Sequence, residues 1–193
     1  TVAGRTDRGV HALGQVVSYD GPLPRLRGVN ALLPPEVSVY AAEEAPDGFS
    51  ARHDAKSRSY VYRVHTREQP DPFERGRALW WPYPIDDEAL HACAAALVGT
   101  HDFTAFTPTD TYHQRFERDV HSARWERHWD ILEFHIEADA FMRNMNRILV
   151  GTMLEVAQGR RDGFAALLDG APRTAAGRTA PPHGLYLAGV RYE

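Results

Sequence analysis

Asp7 stands between Arg5 and Arg8 in the segment Gly4-Arg5-Thr6-Asp7-Arg8-Gly9-Val10-His11, one carboxylate among cations and bounded by glycines. Flanking guanidinium groups favour the ionised acid, and the glycines let the backbone turn tightly. An ionised carboxylate on such a loop can act as a nucleophile, as a general base or as a switch that repels phosphate. The same residues also make an ordinary turn, in which Asp7 caps backbone amides and the arginines are solvated.

Other chemistries find less support. The ten histidines, at positions 11, 53, 65, 91, 101, 113, 121, 128, 135 and 183, include no pair two, three or four apart. Paired metal ligands on a strand or a helix turn are therefore missing from the pattern, and no metal is expected. Nothing reads as a Walker-type or dinucleotide-binding glycine loop, so no cofactor is expected either. The single cysteine, Cys93, cannot form an internal disulfide, which suits a reducing cytoplasm. No apolar run approaches the roughly 20 residues that span a bilayer.

The elements that must hold the loop follow from hydrophobic periodicity. Gly14–Tyr19 reads as a strand after the loop, and Leu23, Leu26, Val29 and Leu33 recur at helical spacing until Pro34-Pro35. Val37, Val39 and Ala41 alternate as another strand, and Glu43–Gly48, ending in Pro-Asp-Gly, marks a domain boundary. Ser57–His65 alternates with Tyr60, Tyr62 and Val64 on one face. Asp86 can cap a helix carrying Leu90, Cys93, Ala94 and Leu97, closed by Gly99, and His101-Asp102 reads as a loop. Two alternating runs flank His128-Trp129-Asp130 and predict an antiparallel hairpin. A long helix is expected over Phe141–Val156, with Arg143 and Arg147 four apart on one face, then a short helix from Gly163 and a last strand over Leu185–Tyr192. Strands mixed with helices, without strict alternation, predict an α+β fold with a mixed, mainly antiparallel sheet and helices packed on it. Trp80, Trp81, Trp125 and Trp129 are expected to pack in strands and hairpin rather than stack on bases.

Ala3 to Gln15, Ala-Gly-Arg-Thr-Asp-Arg-Gly-Val-His-Ala-Leu-Gly-Gln, closely resembles the active-site loop of the tRNA pseudouridine synthase A family. Further blocks match in order: Val29 to Pro34, Phe49 to Arg52, Arg58 to Tyr62, His101 to Phe106, Phe141 to Arg147 and Gly184 to Leu187. The resemblance spans essentially the whole chain, and several ordered blocks are far more specific than any single motif. It implies two subdomains around a central cleft: residues 1–45, the remainder of an N-terminal subdomain with the catalytic Asp loop, and 46–193, which completes the cleft. It implies isomerisation of uridine to pseudouridine at positions 38, 39 and 40 of the tRNA anticodon arm, by a homodimer. Asp7 would attack the nucleotide, Arg5 would help flip the uridine out, Tyr60 would stack on the base or move a proton, and Arg147 would pair with Asp7. Arg8, His11, Arg52, Arg58 and Arg143 would contact substrate or RNA.

Two departures from the family carry expectations. The chain opens on Thr1 without the family's leading strand–helix unit, so lower stability and association are expected, and both an active and an inactive chain stay open. Asn146 replaces an apolar residue and is expected to disturb helix packing or add a hydrogen bond.

Charge sets a condition on any RNA partner. Lys+Arg 22 against Asp+Glu 26 leaves a net −4, and Lys56 is the only lysine. Binding a polyanion then requires the arginines, Arg160, Arg161, Arg173 and Arg178 among them, to gather into a local basic groove. Two rival readings remain open at this level. A non-catalytic RNA-binding remnant would keep affinity without product, and a glycosidic hydrolase using Asp7 would need a second carboxylate.

Overall fold

The computed structural model describes all 193 residues. Its regular elements, in chain order, are β1 (His11–Ala12), α1 (Leu26–Leu32), β2 (Ser57–His65), β3 (Leu79–Trp80), α2 (Asp87–Ala96), β4 (Gly99–Asp102), β5 (Glu117–His128), β6 (Ile131–Ala138), α3 (Met145–Ala157) and β7 (Leu185–Arg191). The seven strands form one sheet in the order β1-β7-β2-β6-β5-β4, with β3 also paired to β2. Only β1 with β7 and β3 with β2 are parallel, so the sheet is mixed and mainly antiparallel, as the sequence pattern predicts.

Alternation explains how the sheet is covered. Along β6, Leu132, Phe134, Ile136 and Ala138 are buried, and along β2 so are Tyr60, Tyr62 and Val64. That apolar face joins Leu90 and Leu97 of α2 and Ile148, Leu149 and Met153 of α3 in one core cluster. The opposite face is polar: Arg63 bridges Glu74 at 2.8 Å and Glu133 at 3.1 Å. One-sided burial of an antiparallel sheet under helices is what the α+β class requires. Asp86 caps α2 by accepting from the amides of Glu88 and Ala89. The β5–β6 hairpin turns on Trp129-Asp130, with Trp129 at φ 58°, the positive dihedral that two-residue hairpin loops demand.

Several expectations are corrected. Gly14–Tyr19 is not a strand; its one bridge pairs Val17 with Val2. The ladder fails because the amides of Leu13 and Gly14 both turn to the carbonyl of Leu187, ending the register that β1 began. Val37–Ala41 is not a strand either. The backbone of Val39 is satisfied by the side-chain amide of Asn30, at 2.7 and 2.8 Å, in place of a neighbouring chain. Helix α1 forms where expected but buries nothing, with Leu32 89% exposed, so its apolar spacing reports helix and not core. His101-Asp102 belongs to β4, paired with β5 through Thr100–Asp119 and His101–Arg118. Trp129, at the hairpin tip, is 95% exposed and packs on nothing, whereas Trp125 is buried against Phe134.

Candidate active site

The Gly4–Gly9 loop lies where the first residues of the chain meet the sheet. The carbonyl of Asp7 accepts from the amide of Val10 at 3.0 Å, closing a turn whose third residue, Gly9, has φ 86°. Only glycine adopts that dihedral cheaply. Gln15 clamps the loop's other end, its side chain bonding both the amide and the carbonyl of Gly4. Nothing clamps the Asp7 carboxylate in this way: it is 46% exposed, and its one charged partner is Arg147, at 3.5 Å.

Arg147 is held from three directions. Its Nε donates to the carbonyl of Ala180 at 2.7 Å and its Nη1 to Asn144 Oδ1 at 2.8 Å, and the amide of Ala180 donates back to the carbonyl of Arg147. The segment that supplies Ala180 rests along one face of α3 at residues spaced by four. A Cβ on Gly151 would fall 1.8 Å from the carbonyl oxygen of Arg178, so glycine there lets the two backbones touch. One turn on, Glu155 accepts from the amide of Arg178 at 3.0 Å. Arg147, Gly151 and Glu155 thus form the seat for this strap.

Helix α3 starts at Met145, later than its periodicity suggests, because Asn144 adopts a left-handed φ of 61°. Arg143 therefore lies outside the helix and does not share a face with Arg147; it pairs with Asp110 instead. Asn146 neither disturbs the packing nor adds a hydrogen bond. Its neighbours Met145, Ile148 and Leu149 are fully buried, while its own Oδ1 is buried without a partner.

Asp7, Arg147 and Tyr60 line one cleft of about 930 Å³ together with Arg5, Arg52, Arg58 and Arg143. Tyr60 is 8% exposed, edge-on to Phe141 at 5.0 Å between ring centres. Burial pushes its hydroxyl up to about 12, against the nearby Arg58 and with the help of Asp7. Arg8 and His11 do not line the cleft. His11 fastens β1 instead, its ring stacked on Tyr186 at 4.7 Å and its Nε2 2.9 Å from the carbonyl of Gly76. Arg58 lines the cleft but spends its donors on structure, bonding the carbonyls of Ala3, Arg52, Ala55 and Asp139.

Among the lining residues that the sequence does not single out as site residues are Tyr112, His113 and Arg118. They come from irregular chain and the start of β5, and no short spacing to the other site residues announces them. Burial, with repulsion from Arg118 and Arg143, pushes the His113 imidazole down, in favour of its neutral form. The lining as a whole holds six arginines and a single carboxylate, Asp7, in a chain whose net charge is −4. No cluster of three His, Cys, Asp or Glu side chains is placed to hold a metal ion.

Such a cleft suits a polyanion whose reacting group meets one fixed negative charge. Comparison with known proteins agrees. A family model described as tRNA pseudouridine synthase matches residues 93–193. The protein called tRNA pseudouridine synthase A of Bacillus velezensis is 42% identical over 198 residues, covering 99% of this chain and 80% of that protein. Its namesake of Bacillus subtilis gives the same figures, and that of Burkholderia multivorans is 42% identical over 199 residues, covering all of this chain and 74% of that protein. At that identity over nearly its whole length, with a loop, cleft and sheet that suit the resemblance read from the sequence, the chain belongs to the tRNA pseudouridine synthase family.

Proposed function

We propose that this chain isomerises uridine to pseudouridine in tRNA, at positions 38, 39 and 40 of the anticodon arm, with Asp7 as the catalytic carboxylate. The observation that carries the reading is the lone carboxylate facing six arginines in one cleft. The reaction breaks the bond from ribose C1′ to N1, turns the base and joins C1′ to C5. The C5 proton is lost, N1 gains one, and no oxidant or water enters the balance. Asp7 faces the reacting sugar and base as nucleophile or base, and its charge offsets the positive charge that grows at C1′ as N1 departs.

Arg147 aims the carboxylate, since its own guanidinium is braced by Ala180 and Asn144. Tyr60 stays protonated far above neutral pH and closes the floor of the site. Its ring is mostly buried, so its part is to support the base edge and offer its hydroxyl as a donor. Arg5 and Arg52, both free of carboxylate partners, take phosphate, while Arg58 shapes the cleft. Residues 1–45 and 46–193 serve as the two walls. A homodimer fits the exposed apolar side chains Leu13, Val17, Tyr19, Leu23 and Leu32 near the chain's start.

A hydrolase reading needs a second carboxylate as acid, and the cleft lining supplies none. The deciding experiment incubates the protein with unmodified tRNA and maps pseudouridine nucleotide by nucleotide. Product at the three positions is expected, with no free uracil. Asp7→Ala should lower kcat by about 10³-fold while tRNA affinity stays within a few fold. Affinity without product from the unaltered chain would favour a binding module and overturn the reading.

A further inference from the structure

Ala180, whose carbonyl holds Arg147, also lines a second cleft of about 750 Å³, walled by α3 and the strap that rests on it. The arginines that the sequence leaves scattered after position 159 converge here: Arg160, Arg161, Arg173 and Arg178 line the cleft together with Glu155. Glu155 is already spent. Its Oε2 takes the Nε and Nη2 of Arg161 at 3.1 Å, and its Oε1 takes the amide of Arg178. Arg160, Arg173 and Arg178 are left without a carboxylate partner. Arg173 reaches only Ala176 and Thr179, each at 3.4 Å, and burial together with the Arg161 charge pushes its guanidinium down. A second, independent observation points the same way. The indole N–H of Trp81, in the wall of this cleft, is buried with no acceptor.

Every unfilled group named here is a donor. The missing partner is therefore an anion with several oxygens, compact enough to meet guanidinium groups from two sides. We propose that this cleft binds a phosphate of the tRNA backbone, held by Arg160, Arg173 and Arg178, while the target uridine occupies the first cleft. The proposal rests on the uridine-isomerising reading above. An RNA strand is favoured over a free anion because the two clefts adjoin through one bond: Arg147, in the lining of the first, donates to the carbonyl of Ala180, in the lining of the second, at 2.7 Å, a separation that a polyanion covers.

Arg160 and Arg178 are exposed, and neither side chain makes a hydrogen bond, so replacing both with Gln leaves the fold intact. In Arg160→Gln/Arg178→Gln the Kd for tRNA should rise about tenfold. The slope of log affinity against log salt should fall by about 1, because one backbone phosphate is no longer neutralised. KM should rise with kcat at saturating tRNA unchanged. Wild-type affinity and slope in this variant would overturn the proposal, as would a fall in kcat with affinity kept. A second arm titrates inorganic phosphate at constant ionic strength and follows the Trp81 indole N–H by NMR, assigned with Trp81→Phe. A shift of that signal alongside unchanged tRNA affinity in the double variant would make the cleft a free-anion site and sink the RNA assignment. An unaltered chain that binds tRNA yet forms no pseudouridine strikes the function reading instead, and the affinity comparison still decides the second cleft.

Discussion

Residues 1–56 and 57–193 are built on different principles. The first stretch has one two-residue strand and one helix that buries nothing, and its only buried side chains are Ala3 and Ala51. The second holds every residue of the core cluster, from Tyr60 to Leu187. Yet the cleft takes its acid from the first and its braced cation from the second. Asp7 is placed by hydrogen bonds and an ion pair, Arg147 by a packed helix. The site therefore has one wall held by polar contacts and one held by core packing, so a change confined to the first would disturb little of the core.

If rigidity on the second side positions Arg147, disturbing the strap should hurt most. Gly151→Ala would ordinarily stabilise a helix by about 1 kcal/mol. Here the added methyl meets the Arg178 carbonyl, so kcat should fall about 10²-fold with a lower Tm. Unchanged kcat would show that the strap does not position Arg147.

Alkali should attack the rigid side through Tyr60. An unfolded tyrosine loses its proton near pH 10, while Tyr60 in the fold holds it to about 12. The unfolded state then binds fewer protons, so stability that is intact below pH 10 declines as pH rises towards 12. At 1.36 kcal/mol per pH unit the loss is about 2–3 kcal/mol. Chemical denaturation at pH 9 and pH 11.5 measures it, and Tyr60→Phe should remove that share.

The seam between the two regions is Arg58. Arg58→Ala should cost about 2 kcal/mol by unpairing carbonyls from both sides. Amide exchange should quicken at Ala3 and Ser18 while β5 and β6 stay protected; uniform acceleration would mean that the seam is part of the core. The smallest effect carries the opposite sign. Asn146→Val removes a buried, unpaired acceptor and should raise unfolding stability by about 1 kcal/mol in the same denaturation assay.

How much could be read from the sequence follows the same division. β2, the β5–β6 hairpin and the capped α2 were legible because each buries one face and so writes a period into the chain. Gly14–Tyr19 and Val37–Ala41 carry a strand-like alternation but have no ladder to join, and alternation without a partner specifies nothing. Asp7, Tyr60 and Arg147 were legible as a trio from the resemblance, and the structure brings them to one cleft. The structural use of Arg58 and the place of His11 against Tyr186 were not, because both depend on carbonyls and rings distant in sequence.

Asn144 imposes two demands on a single position. Its backbone lies where most side chains are strained, and its amide oxygen is a fixed brace for Arg147. Glycine would meet the first demand and drop the brace; leucine or valine would fail both. Aspartate would meet both, but it would set a second negative charge beside Arg147, in competition with Asp7. Sequence change at this one residue is thus hemmed in by geometry and by charge together, although the residue itself need never touch the substrate.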